Sequence, residues 1–190
     1  MSSRELCFLS VHELAGKTRA REISPRETVE AHLDQIDDLN PTLNSFITVC
    51  HEEAMVAAAL AEEEISSGQY RGPLHGIPFG VKDIIDTGGI RTTQGSSFYS
   101  QNVPDKDAEC VRRLKEAGAI VIGKCNTHEF AAGSTTKSAF WGLCGPLGYE
   151  PCARRIEWRL RGRRGGAYVP GRPGLRYGRL DSGSRSDMRR

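Results

Sequence analysis

The sequence predicts an α/β fold. Two stretches read as strands, "GIPFGVK" at 76–82 and "AIVIG" at 119–123, and a helical pattern lies between them. The second stretch is wholly apolar, as a parallel strand covered on both faces is. A strand, a helix and a second strand at this spacing form a βαβ unit, which is the building block of α/β proteins.

Helical signals precede this unit. Ser10 is a candidate N-cap of one helix, and Ser24 caps a second, stronger one. In the second helix Pro25 takes the first helical position, Glu27 completes a capping box, and the chain at 40–41 (Asn-Pro) is the expected end. The predicted apolar stripe of this helix consists of Val29, Leu33 and Ile36.

Three further elements follow from the local sequence. The β-forming residues at 45–50 predict a short strand, and the Ala-rich segment after it predicts a helix that Gly68 ends. The helix of the βαβ unit is expected to be capped by Asp107 and ended by Gly118. Its predicted apolar stripe consists of Cys110, Val111 and Leu114.

The composition changes abruptly near residue 144. Residues 1–143 contain 14 Lys and Arg against 20 Asp and Glu, whereas residues 144–190 contain 12 Arg, no Lys and 4 acidic residues. The second segment also has nine Gly and few aliphatic side chains, too few to offset the entropy of ordering it. We therefore divide the chain into a folded part, 1–143, and an Arg/Gly-rich tail, 144–190, that we expect to be disordered.

Several classes of protein are excluded. None of the six cysteines forms a Cys-x-x-Cys pair, so we expect reduced thiols and a cytoplasmic location. The N-terminal segment has too many charges for a signal peptide, and no stretch is apolar enough to span a membrane. No cofactor and no metal ion is expected.

Two motifs resemble ligand-binding patterns, but each lacks a residue that the pattern requires. Residues 118–125 nearly match the phosphate-binding pattern G-x-x-x-x-G-K-[ST], but their middle is the predicted strand and Cys125 replaces the Ser or Thr. His128 and Glu129 lack the second histidine of a zinc-binding H-E-x-x-H motif.

Lys82, at the end of the first predicted strand, is the candidate catalytic residue. By itself it is more typical of a lysine at a strand end whose ammonium reaches solvent. The alternative is a lysine kept neutral as a base, because burial disfavours the charged form of a lysine. Its neighbours Asp83 and Asp86 act against that, since carboxylates favour the charged form.

The motifs in combination resemble the amidase signature family. The similarity runs from about Ser10 to Gly142 and rests on Gly80-Val81-Lys82-Asp83 and on "GKCNTHEFA", which begins at Gly123. Within the family, the resemblance is to general amidases and to the A subunit of glutamyl-tRNA amidotransferase. The resemblance implies an incomplete amidase-signature fold: N-terminal helices and part of a mixed sheet flanked by helices.

The resemblance also implies a mechanism. The family hydrolyses amide C–N bonds with a Ser–cis-Ser–Lys triad, and Lys82 matches its lysine, the base that receives the proton. The resemblance implies a small-molecule amide substrate in the intact protein and amidotransferase subunits as partners. The two serine-bearing segments of the family are absent from this sequence, so no serine is assigned and substrate-binding residues stay unknown.

The tail has the composition of a G·C-rich gene read out of frame. A choice of codons that fits residues 144–190, read with the first base dropped, gives G-S-S-G-G-S and then D-T-G-G-S-I-R. These are the missing family segments, in order. We expect a frameshift to be the origin of the tail.

The favoured interpretation is the N-terminal fragment of a serine amidohydrolase, inactive because both serine segments are missing. One alternative is a non-catalytic protein whose basic tail binds nucleic acid. We regard it as weaker because the tail has no recognisable binding module and its aromatic residues are not interleaved for stacking. Another alternative is a misfolded fragment that is rapidly degraded.

Overall fold

A computed structural model describes residues 2–133 and 138–139. The expected disorder and the expected frameshift both concern the Arg/Gly-rich tail, which lies outside the described residues. The described part is a mixed α/β structure with five α-helices and a small mixed sheet. The predicted fold class is therefore confirmed.

Three capped helices open the chain: α1 (Ser3–Leu6), α2 (Val11–Arg19) and α3 (Pro25–Leu43). Each begins with a capping box in which a serine and a glutamate three residues later bond to each other's backbone N–H groups. The two predicted caps, Ser10 and Ser24, are both confirmed. Within α3, Val29 and Leu33 are buried and Ile36 packs against the same cluster.

The predicted end of α3 at residues 40–41 is wrong. The helix contains Pro41 and continues to Leu43, and Asn44 then adopts a left-handed conformation at φ +51°. The Asn40 side chain accepts a hydrogen bond from the backbone N–H of Phe46 (2.8 Å) and donates one to its carbonyl oxygen (3.1 Å). These two bonds anchor the helix end to the next strand, a tertiary stabilisation that outweighs the local preference of a residue before proline.

The strands β1 (Phe46–Val49), β2 (Pro78–Lys82) and β3 (Ile120–Cys125) form the sheet, in the order β1-β3-β2. β3 pairs parallel with β2 and antiparallel with β1. The parallel pair confirms the predicted βαβ unit, and the central position of β3 explains its apolar sequence. Among the described strands, β2 lies at an edge of the sheet.

Two further helices cover the sheet: α4 (His51–Ser66) and α5 (Glu109–Glu116). Short 3-10 turns occupy Ser97–Tyr99 and Glu129–Ala131. Asp107 is not the cap of α5, because Ala108 takes that position without a side-chain bond. The Asp107 carboxylate instead accepts hydrogen bonds from Gly88 N–H (2.8 Å) and Lys115 Nζ (2.9 Å). In the predicted stripe of α5, Val111 is buried but Cys110 is exposed.

The core lies on both faces of β3. Ile120 and Ile122 pack with α3 and α4 in one cluster, and Val121 packs with Val81 and Val111 in another. Successive residues of a strand point to opposite faces, so β3 must be apolar at every one of these positions. This burial fixes the register of β3, and with it the position of the neighbouring end of β2.

His75 joins the long helix α4 to the start of β2. Its side chain is 1% exposed; the Arg71 N–H donates to Nδ1 (3.1 Å), and Nε2 lies 2.9 Å from a carboxylate oxygen of Glu64. Because Nδ1 accepts a bond, the ring is neutral, with its proton on Nε2. Gly118 packs against this ring: a Cβ there would lie 2.6 Å from it.

Stability should depend on pH through His75. Desolvation lowers the pKa of His75, and Arg71 acts in the same direction, whereas Glu64 opposes the shift. The unfolded chain, with a histidine pKa near about 6.5, therefore binds the proton more readily than the folded chain does. The contribution of His75 is complete above about pH 6.5 and is lost as the pH falls through the folded-state pKa.

Urea unfolding between about pH 7.5 and 5 measures this effect. The free energy of unfolding should fall towards acid more steeply in the wild-type chain than in His75→Gln. The exposed His12→Gln substitution, at a histidine outside this cluster, is the control and should change the slope less than His75→Gln does. Equal slopes for wild type and His75→Gln would contradict the assignment.

Candidate functional site

The site lies where β2 and β3 end side by side. Val81, Lys82 and Asp83 alternate between the two faces of the sheet: Val81 and Asp83 are buried, and Lys82 is exposed. Lys82 pairs with Cys125 in the register of the sheet, and the Asp83 N–H donates to the Cys125 carbonyl oxygen (3.0 Å). The predicted catalytic lysine is thus the last residue of β2, with its main chain held at the end of the sheet.

The Lys82 side chain has no hydrogen bond or ion pair with any described residue. Neither of the two best-formed surface depressions of the described part is lined by Lys82: one lies among α2, α3 and α4, and the other lies beside Tyr99 and Asn102. The family resemblance predicts a Lys82 side chain that points inward, towards the space left by the absent serine segments. The described residues instead leave the side chain exposed, which does not favour this prediction, and the catalytic role of Lys82 stays untested by the fold.

Lys124 is the lysine that is buried. Its side chain is completely enclosed, and its ammonium donates to the Ile85 carbonyl oxygen, to Thr87 Oγ1 (2.9 Å) and to Thr92 Oγ1 (2.8 Å). An ammonium has three N–H donors, so this one is fully used. Burial lowers the pKa of Lys124, and the negative charges of Asp83 and Asp86 act in the opposite direction.

Lys124 belongs to the rejected phosphate-loop match and to the family motif that begins at Gly123, and neither pattern predicts that its side chain is buried. The signal that could have marked it is a single lysine within an otherwise apolar, fully buried strand, since such a charge must find partners inside the protein. The structure supports the rejection of the phosphate loop, because residues Ile120–Cys125 form a strand.

Asp83 is the second buried charged residue at this end of the sheet. Its Oδ2 accepts hydrogen bonds from the backbone N–H of Thr93 (3.1 Å) and from the Thr93 hydroxyl. Its carbonyl oxygen accepts a bond from Gln94 N–H (2.9 Å). Its Oδ1 is buried without a hydrogen-bond partner among the described residues. Asp83 thus fixes the segment 93–94 against the ends of β2 and β3.

Asn126 extends this buried polar layer to the segment between α3 and β1. Its Nδ2 donates to the Asn44 carbonyl oxygen (2.8 Å), and its Oδ1 accepts a bond from Thr127 N–H (2.8 Å). The polar residues of the second motif, Lys124 and Asn126, therefore bond to other parts of this chain and hold the end of the sheet together.

The 3-10 turn Glu129–Ala131 packs against segment 93–95. Phe130 N–H donates to the Gln94 carbonyl oxygen (2.8 Å), and Gln94, Phe130 and Ala131 all have φ values of +53° to +54°. Left-handed backbone at residues other than glycine is uncommon and persists where surrounding contacts enforce it. Three such residues in two bonded segments indicate a tightly specified structure beside the end of β2.

A metal centre is not evident at this site: within residues 2–133 and 138–139, no group of three or more His, Cys, Asp or Glu side chains is placed to hold an ion. None of the helices in the same residues is long and apolar enough to cross a membrane.

Residues 27–144 match the sequence model of the family described as "Amidase". The chain belongs to this amidase family. It is 44% identical over 140 residues to a glutamyl-tRNA(Gln) amidotransferase protein of Geobacter sp. (strain M21), an alignment that covers 74% of this chain and 29% of that protein. The corresponding protein of Cutibacterium acnes is 39% identical over 138 residues, which is 73% of this chain and 28% of the relative.

Solved structures agree with the family. The native peptide amidase of Stenotrophomonas maltophilia superimposes with a TM-score of 0.63 at 36% identity, covering 69% of this chain and 27% of that one. A chain described as fatty acid amide hydrolase has a TM-score of 0.71 at 23% identity, which shows the shared fold. The chain spans less than a third of the length of these relatives.

Lys124→Met should destabilise the protein by about 3 kcal/mol or more, because it leaves buried acceptors unsatisfied and the buried carboxylate of Asp83 uncompensated. Chemical denaturation with a fitted midpoint and slope measures the change. The exposed Lys106→Met is the matched control and should stay within about 0.5 kcal/mol of wild type. Equal unfolding midpoints for the two variants would show that the hydrogen bonds of the Lys124 ammonium do not stabilise the fold.

Proposed function

We propose that this chain carries the lysine-bearing part of a serine amide hydrolase and that Lys82 is its general base. The supporting observation is the contrast between the two lysines at the end of the sheet. Lys124 uses all three of its N–H donors within the fold, whereas Lys82 bonds to no described residue and stands in the family motif Gly80-Val81-Lys82-Asp83. A base must have its nitrogen free to meet a hydroxyl group.

In the proposed reaction, the neutral amine of Lys82 accepts a proton from the cis-serine hydroxyl, which takes the proton of the nucleophilic serine. The serine oxygen bonds to the amide carbonyl carbon, the C–N bond breaks, and the leaving nitrogen takes the proton back from Lys82 through the cis-serine hydroxyl. Water then cleaves the acyl-serine ester and regenerates the serine. Both serines belong to segments of the family pattern that have no counterpart in the 190 residues.

We further propose that the chain is inactive by itself. The nucleophile and the oxyanion-binding groups of the family pattern are missing, and these groups supply most of the rate of acyl transfer.

The tail is proposed to be the out-of-frame translation of the missing serine segments. Two observations support a boundary near residue 144. The match to the family ends there, and the composition turns to Arg and Gly without Lys at the same point.

For the intact protein we propose a small-molecule amide as substrate. Amidotransferase subunits are proposed as partners on the strength of the glutamyl-tRNA(Gln) amidotransferase relatives, and the peptide amidase relative supports a stand-alone enzyme instead. Within the described part of the chain, Cys7, Cys50 and Cys110 form no disulfide, which supports the proposed cytoplasmic location.

The purified 190-residue chain should release no product from an aryl amide such as a p-nitroanilide beyond the rate of Lys82→Ala. The reason is the missing nucleophile. Release of p-nitroaniline measured by absorbance, with the same preparation of Lys82→Ala as the blank, checks this. Hydrolysis by the wild-type chain that disappears in Lys82→Ala would refute the proposed inactivity and would support the role of Lys82.

The gene should regain a long open frame when it is shifted by one base near the codons of 143–144. Sequencing across 141–145 and reading the shifted frame checks this. The restored frame should continue past the codon of Arg190 and encode both serine segments, and its product should hydrolyse an aryl amide in a Lys82-dependent way. A stop codon within the shifted tail, or a frame without those segments, would exclude the frameshift.

A further inference from the structure

We propose that Asp83 is the positioning residue for Lys82. It acts through the backbone, by fixing the end of β2 between β3 and segment 93–94. The inference rests on the proposed role of Lys82, and it assigns to the neighbouring residue the task of holding the base in place.

Asp83 cannot act on Lys82 by direct contact, because the two side chains point to opposite faces of the sheet. Lys82 is exposed and Asp83 is 0% exposed, and neighbouring residues of a strand point to opposite faces. The carboxylate therefore lies on the other side of the sheet from the ammonium of Lys82 and makes no hydrogen bond to it. The negative charge of Asp83 acts on the buried Lys124 instead.

The contacts of Asp83 account for a fixed main chain at Lys82. Immediately after Lys82, the Asp83 N–H donates to Cys125 of β3 (3.0 Å), and the Asp83 carbonyl oxygen accepts a bond from Gln94 (2.9 Å). The carboxylate adds two bonds from Thr93, one from the N–H and one from the hydroxyl. The two peptide groups on either side of Asp83 are both hydrogen-bonded and cannot rotate freely. These bonds therefore set the Cα–Cβ direction of Lys82.

The carboxylate has two separable functions. Oδ2 receives both donors of Thr93, while Oδ1 has no partner among the described residues. In Asp83→Asn the remaining oxygen can still accept the Thr93 bonds, with the amide nitrogen in the place of Oδ1, but the negative charge is lost. Asp83→Ala loses both the bonds and the charge. The pair of variants therefore distinguishes the backbone clamp from the counter-charge for Lys124.

The test uses the 190-residue chain, ¹⁵N relaxation and amide hydrogen exchange. We expect the Lys82 backbone order parameter to be about 0.85 in wild type and Asp83→Asn, and to fall below about 0.6 in Asp83→Ala. The Thr93 amide should exchange at least about tenfold faster in Asp83→Ala, since its acceptor is gone. Asp86→Asn, a charge change three residues on, should leave Lys82 as in wild type.

Global stability is the contrasting measurement. Asp83→Asn should lower the unfolding midpoint because Lys124 loses a counter-charge, yet Lys82 should remain ordered. An unchanged Lys82 order parameter in folded Asp83→Ala would overturn the proposal. An equal loss of order in Asp83→Asn would also overturn it, because the effect would then be one of charge.

A second pair of variants applies if Asp83→Ala does not fold. Thr93→Val removes the hydroxyl donor and keeps the N–H, so the order of Lys82 should fall by a smaller amount, and Thr93→Ser should restore it. No difference between Thr93→Val and wild type would overturn the proposal. These measurements do not depend on catalysis: an inactive frame-restored enzyme would refute the proposed function and leave the positioning result standing.

Discussion

The buried ammonium of Lys124 is the interaction on which the end of the sheet depends. A charge without access to water must have all its donors satisfied, and here the acceptors come from Ile85, Thr87 and Thr92. The ammonium therefore ties the central strand β3 to the loop that leaves β2. The same loop leads to Thr93, which donates hydrogen bonds to Asp83. Polar contacts with Lys124 and with Asp83 therefore hold the chain in place where it leaves β2.

The two lysines at this end of the sheet show how position determines the chemistry of one residue type. Lys124 lies on the central strand, where helices and loops enclose it, and its nitrogen is committed to the fold. Lys82 lies on the edge strand of the described sheet and points to the exposed face. Only the second arrangement leaves a side-chain nitrogen without a hydrogen-bond partner among the described residues, and this is the lysine of the motif Gly80-Val81-Lys82-Asp83.

The described residues leave one sheet edge and several large apolar side chains exposed. The outer edge of β2 is unpaired among the described strands, and large apolar side chains at Phe98, Val103 and Phe130 are at least half exposed. Unpaired edges and exposed aromatic side chains are liabilities that complete domains normally cover. The relatives, more than three times as long as the aligned region, have ample chain to cover them.

The sequence by itself determined the elements whose signals are local. The capping boxes at Ser10 and Ser24 involve partners three residues apart, and the apolar run of β3 reports its burial directly. The motif around Lys82 gave the family and the candidate base. The two capping-box predictions succeeded because a side chain and its backbone partner within one helical turn need no other part of the fold. The catalytic role of Lys82 stays a prediction.

Tertiary structure decided the rest. Pro41 stays within its helix because the Asn40 side chain bonds to the next strand, and Asp107 bonds to Gly88 and Lys115 instead of capping a helix. The partners of Lys124 lie 32 to 39 residues away, and Thr93 lies 10 residues from Asp83. A polar side chain can bond to any donor or acceptor that folding brings near it, so its partner is settled by the path of the chain and not by its neighbours in sequence.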